Sequence, residues 1–139
     1  MTLNSRCGSL PKRCAMKHLL FFLIISAPFA QANLERITQA ISKGDAATLG
    51  QYLDQTVEIA VVDREDIYTR TEAEGILQDF FRNHAPKSFS QVHKGSSKAK
   101  DSLYCIGNLV TQQATFRVYI YMRIDNRSYK IQELRFDKE

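Results

Sequence analysis

The sequence predicts an α+β domain of order α-α-β-β-α-β-β-β-β. Three helices from the N-terminal half pack on the concave face of a strongly bent antiparallel sheet. Three observations predict it. Thr115–Ile124 alternates cleanly, with Phe116, Val118, Ile120, Met122 and Ile124 on one side and Arg117, Tyr119, Tyr121 and Arg123 on the other. A period of two means a sheet with two unlike faces. Ala73, Ile76, Leu77, Phe80 and Phe81 recur at helical spacing and make one apolar stripe. Ile131 is out of phase with Leu134 and Phe136, and one extra residue at Gln132-Glu133 repairs the phase; such a bulge bends a sheet.

The elements follow in order from a leader. Met16-Lys17-His18 is a short basic start, Leu19–Ile25 an apolar run, and Ser26–Ala32 ends in Ala-x-Ala. That is the layout of a cleaved secretory signal over 16–32, preceded by an upstream segment that belongs to no domain. The apolar run is shorter than the roughly 20 residues a membrane span needs. Cleavage is expected after Ala32, leaving 33–139 as a single exported domain, periplasmic or extracellular, with no membrane span. Four of the 19 basic residues and none of the 15 acids precede Asn33, so the remainder carries 15 of each. A balanced charge argues against nucleic acid, whose binding rests on a basic surface.

Asn33 is placed to cap a first helix bearing Leu34, Ile37 and Ile41, and Gly44 to close it in the left-handed conformation. Asp45 then caps a short helix, Ala46–Leu53. Val57, Ile59 and Val61 mark a strand, Asp63-Arg64-Glu65-Asp66 a charged turn, and Ile67-Tyr68 a short return strand. Thr71 and Glu74 have the spacing of a capping box for the third helix, which must stop before Pro86. Phe89–Lys94 reads as a polar strand with a lysine-bearing edge, followed by a turn at Gly95-Ser96-Ser97. Leu103–Thr111 follows. A two-residue turn at Gln113-Ala114 sets Leu103, Cys105, Gly107 and Leu109 opposite Ile124, Met122, Ile120 and Val118. The last hairpin turns at Asn126-Arg127, and the bulge sets Ile131, Leu134 and Phe136 opposite Met122, Ile120 and Val118.

Candidate chemistry is sparse. His84 and His93 lie on different elements and form no metal-ligand spacing, and no cofactor motif is present. His84 suits the negative end of a helix. Cys105 is the lone cysteine after Ala32, so it forms no internal disulfide there, and its place on the apolar face makes it a small hydrophobe rather than a nucleophile. Ser96-Ser97 beside Gly95 reads as a turn, with no base nearby. Two surfaces are left. The hollow side offers Tyr52, Tyr68, Phe80, Phe81, Phe89, His93 and Met122 as lining for a ligand pocket, since such sites are concave and largely apolar. The outer face carries Tyr104, Ile106, Arg117, Tyr119, Tyr121 and Arg123. Tyr and Arg are enriched at binding hot spots, which suits a protein partner or a homodimer; the plainer reading is cross-strand pairs that stabilise the sheet.

With this element order, the chain resembles the nuclear-transport-factor-like cone fold, a cystatin-like group that includes ketosteroid isomerases and polyketide cyclases. More closely, it resembles a family of small secreted bacterial proteins of unknown function. The strings that carry the resemblance are Ile76-Leu77-Gln78-Asp79-Phe80-Phe81, Pro86-Lys87-Ser88-Phe89, His93-Lys94-Gly95-Ser96-Ser97, Thr115-Phe116-Arg117-Val118-Tyr119 and Gln132-Glu133-Leu134-Arg135. No activity comes with that family. The isomerase chemistry of the wider fold needs an acid/base carboxylate and an oxyanion-holding Tyr–Asp pair inside the cone. Here Asp63, Glu65 and Asp66 fall in an expected surface turn, so those roles are not carried over.

The expectation is an exported, non-enzymatic domain that binds a small apolar or amphipathic molecule in the cone, or a protein on its outer face. The alternative is a cone-fold isomerase or hydrolase whose acid/base residue is unplaced.

Overall fold

The structure, a computed structural model, describes residues 29–139. Its elements run α1 (Phe29–Lys43), α2 (Ala46–Tyr52), β1 (Leu53–Val61), β2 (Arg64–Thr69), α3 (Arg70–Asn83), β3 (Pro86–Ser96), β4 (Ser102–Thr111), β5 (Thr115–Asp125) and β6 (Ser128–Lys138). The upstream segment and most of the leader lie outside the described residues. Asn33 is not a cap, because α1 already begins at Phe29; the expected cut after Ala32 falls inside this helix.

Gly44 closes α1 at φ +68°. Asp45 caps α2, accepting from the Thr48 amide at 2.9 Å and from its hydroxyl at 2.6 Å. These bonds hold the Asp45 carboxyl below its usual range. The capping box of α3 is Thr69 with Glu72, not Thr71 with Glu74. The Glu72 carboxylate accepts from the Thr69 amide at 3.0 Å. Arg64, Glu65 and Asp66 belong to β2, and the turn is the pair Val62-Asp63, with Val62 at φ +55°.

The sheet order is β2-β1-β6-β5-β4-β3. Neighbours are antiparallel except β1 and β6, which run parallel. That departs from a wholly antiparallel sheet, because a hairpin, a helix and three strands, not a tight turn, connect this pair. Gln132 is the extra residue in β6. Around it Ile131, Leu134 and Phe136 oppose Met122, Ile120 and Val118, the register the phase break requires. The β4–β5 register differs from expectation by two residues. Cys105 opposes Ile120, and Leu109 opposes Phe116. The loop is still two residues long, but it is Gln112-Gln113. Thr111 Oγ1 donates to the Ala114 carbonyl at 2.7 Å and accepts from the Ala114 amide at 3.1 Å, which fixes the turn one residue early. A shift of two leaves every side chain on its expected face.

The helices cover the concave face. Ile37 and Ile41 of α1, Leu49 of α2 and Leu77 of α3 are fully buried against Val118, Ile120, Met122, Leu134 and Phe136. Burial of each such side chain contributes about 1.5–3 kcal/mol. Ile124 continues the alternation but lies past the helices and is exposed.

Candidate functional site

The interior of the cone is filled by aromatic rings. Phe80 packs against Phe136 at 4.5 Å between ring centroids and edge-on to Phe116 at 5.1 Å; Phe81 meets Phe136 at 6.0 Å. His84, the C-cap of α3, stacks on Phe80 at 4.8 Å. Its Nδ1 lies 3.2 Å from the Phe80 carbonyl. A carbonyl only accepts, so Nδ1 carries the proton and, in the neutral ring, Nε2 is the acceptor. Among the described residues the only polar ones buried as a whole are Ser102 and Thr111, so no carboxylate-bearing residue is fully buried.

Beside this plug lies a hollow of about 190 Å³ between α3 and the β1–β2 hairpin. Ile59, Val61 and Tyr68 form its strand wall; Ile76 and Phe80 form its helix wall; Arg64, Asp79, Asn83 and His84 stand around it. The walls come from two periodicities meeting. Ile59 and Val61 are inward residues of β1, and Ile76 and Phe80 lie one turn apart on α3. A cavity of about 150 Å³ lined by apolar groups holds benzene, so this one suits a single ring or a short branched chain.

Of the seven residues expected to line a pocket, the hollow brings together Tyr68 and Phe80. Phe81 and Met122 are buried in the core, and Tyr52 and Phe89 pack against it from elsewhere. His93 does not face the cone. Val92 is an extra residue in β3 between Gln91, opposite Gly107, and His93, opposite Ile106. That bulge turns His93 to the outer face, where Nε2 sits 2.9 Å from the Tyr104 hydroxyl. Arg64, Asp79, Asn83 and His84 were missed as pocket residues. The positions of Asp79, Asn83 and His84 beside the α3 stripe were the available signal.

The outer-face residues lie on one surface. Tyr104 opposes Tyr121, Ile106 opposes Tyr119, and Asn108 opposes Arg117. The Tyr104 and Tyr119 rings are near parallel at 6.5 Å. Arg117 ion-pairs with the Glu139 side chain, and Arg123 is exposed. Asn108 Oδ1 is buried without a donor. Towards β2 the surface becomes acidic. Arg135 binds Glu65 at 3.0 Å and Glu133 at 3.3 Å. A hydrogen bond shared with Glu65 raises the Glu58 carboxyl, with burial and the charges of Glu133 and Glu65 adding to it. Burial and then Glu133 raise the Tyr119 phenol.

Cys105 is fully buried, and burial pushes its thiol up to about 11 against the opposing pull of Lys94. Among the described residues no group of His, Cys, Asp and Glu has the geometry of a metal site, and no helix is long and apolar enough to cross a membrane.

Three helices on the hollow side of a sheet with this strand order define a nuclear-transport-factor-like, cystatin-like protein. An NTF-2 like protein of unknown function from Silicibacter pomeroyi DSS-3 shares this fold at a TM-score of 0.58, with 11% identity over 78% of this chain and 92% of that one. The chain belongs to the DUF4783 family, a domain of unknown function, whose profile matches residues 34–137. A DUF4783 family protein from Bacteroides uniformis ATCC 8492 is 30% identical, with a TM-score of 0.72 over 76% of this chain and 95% of that one. Another, from Bacteroides fragilis YCH46, is 31% identical, with a TM-score of 0.71 over 75% and 96%. No curated protein matches the chain.

Proposed function

We propose that this chain is a non-catalytic, exported binding domain. It takes a small amphipathic molecule in the hollow between α3 and the β1–β2 hairpin. The observation that carries this reading is the hollow itself, an apolar slot of about 190 Å³ with Arg64, Asp79, Asn83 and His84 around it. Ligand sites combine apolar walls with a few convergent polar groups in this way. The size sets the ligand at one ring or a short acyl chain. Arg64 supplies the charge for an anionic head group, and Asn83 and His84 supply hydrogen-bonding partners. The non-catalytic reading is supported by the aromatic filling of the cone, where no carboxylate-bearing residue is among the buried ones described. Export rests on the leader pattern at Met16–Ala32.

The test is a methyl-NMR titration of the full chain with benzoate and with hexanoate, repeated on Ile76→Trp, which fills the slot. Saturable shifts at Ile59, Val61 and Ile76 in the native chain, and none in Ile76→Trp, are expected. A native chain whose methyl signals stay fixed with both probes, and which carries no extra mass in native mass spectrometry, overturns the reading.

A further inference from the structure

The two edges of the sheet carry opposite charge. From Leu53 to Asn83, the limb that contains β1, β2 and α3, there are eight carboxylates against three arginines, a net charge of −5. From His84 to Lys100, which contains β3 and its tip, there are four lysines and no acid. β2 and β3 are the two outer strands of a six-stranded sheet, so the charges lie about 24 Å apart at the ordinary strand spacing. Both edges also expose an aliphatic side chain. Ile67 of β2 is 68% exposed and Val92 of β3 is 58% exposed, the highest values for large hydrophobic residues among those described.

Charged edge strands usually guard against sheet-to-sheet pairing. If that were their whole role, both edges would carry the same sign. Opposite signs do something different. They repel the two symmetric pairings, β2 on β2 and β3 on β3, and attract the unsymmetric one. We infer that the acidic β2 edge of one copy docks on the basic β3 edge of a second copy, head to tail, with Ile67 and Val92 at the contact.

The geometry allows it. β2 and β3 run in the same direction across the sheet, so two copies laid side by side in one orientation pair these strands in parallel. Asp63 and Asp66 are exposed at the β2 edge, and Lys94 and Lys98 at the β3 edge. Arg64 of β2 and Arg70 of α3 are exposed on the acidic side, where they reduce its net charge without reversing it. Arg135 engages Glu65, Asp101 is held by Ser97 in the tip turn, Asp79 holds Arg82, and Glu35 of α1 stands near Lys94. A contact of this kind does not close on itself, so it adds copies in a row. It is also salt-sensitive, since the screening length falls from about 30 Å at 0.01 M to about 3 Å at 1 M. This inference is independent of the hollow.

The test is sedimentation velocity of the full chain at about 0.01 M and about 1 M salt, with two neutralised variants. One is Lys94→Ala with Lys98→Ala; the other is Asp63→Asn with Asp66→Asn. All four positions are exposed, and circular dichroism checks that both variants fold. The native chain is expected to show a mass that rises with concentration at low salt and returns to the single chain at high salt. Each variant alone stays at the single-chain mass. An equal mixture of the two gives a species of twice that mass and nothing larger, because one supplies the intact acidic edge and the other the intact basic edge. A native chain that remains single at low salt overturns the inference. So does a mixture that fails to pair. So does an association that survives both neutralisations and is lost in Tyr119→Glu with Tyr121→Glu, which places the contact on the outer face instead.

Discussion

The ring of Phe89 lies across the backbone of Gly107. A β-carbon at Gly107 would stand 2.2 Å from Phe89 Cζ and 2.8 Å from the Ser90 carbonyl oxygen. Phe89 itself pairs with Leu109, two residues along β4, so its ring reaches back over the gap the glycine leaves. Gly107→Ala is therefore expected to destabilise by about 1–3 kcal/mol, the usual effect of forcing an extra methyl into a packed site. Urea unfolding measures it, and adding Phe89→Leu should recover part of the loss. An unchanged midpoint in Gly107→Ala would show that the ring moves aside freely.

The start of α3 makes a second prediction. Thr69 and Glu72 satisfy each other's free backbone groups, whereas Thr71 is exposed inside the first turn. Thr69→Ala is expected to cost about 1 kcal/mol, as the loss of an N-cap does. Thr71→Ala is expected to fall within about 0.5 kcal/mol of the native chain. Thermal unfolding of both decides between the two boxes, and a larger loss at Thr71 would contradict the cap seen here.

Buried thiol chemistry gives a third. With its thiol near 11, Cys105 is thiolate in roughly one molecule in a thousand at pH 8, and it has no access to solvent. In a chain with Cys7 and Cys14 replaced by Ser, a disulfide reagent at pH 8 should leave Cys105 untouched for as long as the protein stays folded, then modify it on addition of denaturant. Prompt reaction of the folded protein is the contrary result.

Acid dependence runs in two directions. The Asp45 and Asp101 carboxyls are held below their usual range by Thr48 and Ser97 respectively, so the folded state favours their ionised forms. That stability is present above the unfolded-state carboxylate range and is lost as pH falls through the folded values. Glu58 has the opposite sign. Its raised carboxyl favours folding while protonated and opposes it as pH rises through the folded value. Glu58→Gln should raise Tm at neutral pH, by up to about 1 kcal/mol in stability, the ordinary worth of a surface charge pair. The gain should vanish below about pH 4, where the native carboxyl is protonated as well. A Tm series across this range checks it, and a gain that persists in acid would point to packing instead.

How much of this was legible in the residues depended on whether one signal or two competed. Ile131 could join the apolar face in only one way, so the phase break alone placed the bulge at Gln132-Glu133. Asp45 and Gly44 had no rivals as cap and closing residue. Thr69 and Thr71 both begin a Thr-x-x-Glu string, and the choice falls to Thr69 because it ends β2, paired with Thr56, where the chain must leave the sheet. The β4–β5 turn depended on a hydroxyl, that of Thr111, whose bonds to Ala114 no periodicity reports. The pocket was the least legible. Simple alternation puts His93 beside Phe89 on the inner face, and the single inserted Val92 reverses it. The hollow that does exist is built from residues of three separate elements, and its polar members come from the edge of a helix stripe that reads as plain surface.

The place of β6 in the sheet sets the timing of folding. Until Ser128–Lys138 has been made, the strands form two unconnected pieces, β2 with β1 and β3 with β4 and β5. The last strand joins them, and its parallel pairing with β1 spans more than half of the described chain. A chain ordered in this way has no complete sheet to form during synthesis, and its closure waits on the slow search that distant pairings require. Such a polypeptide completes its sheet only once its last strand has been made.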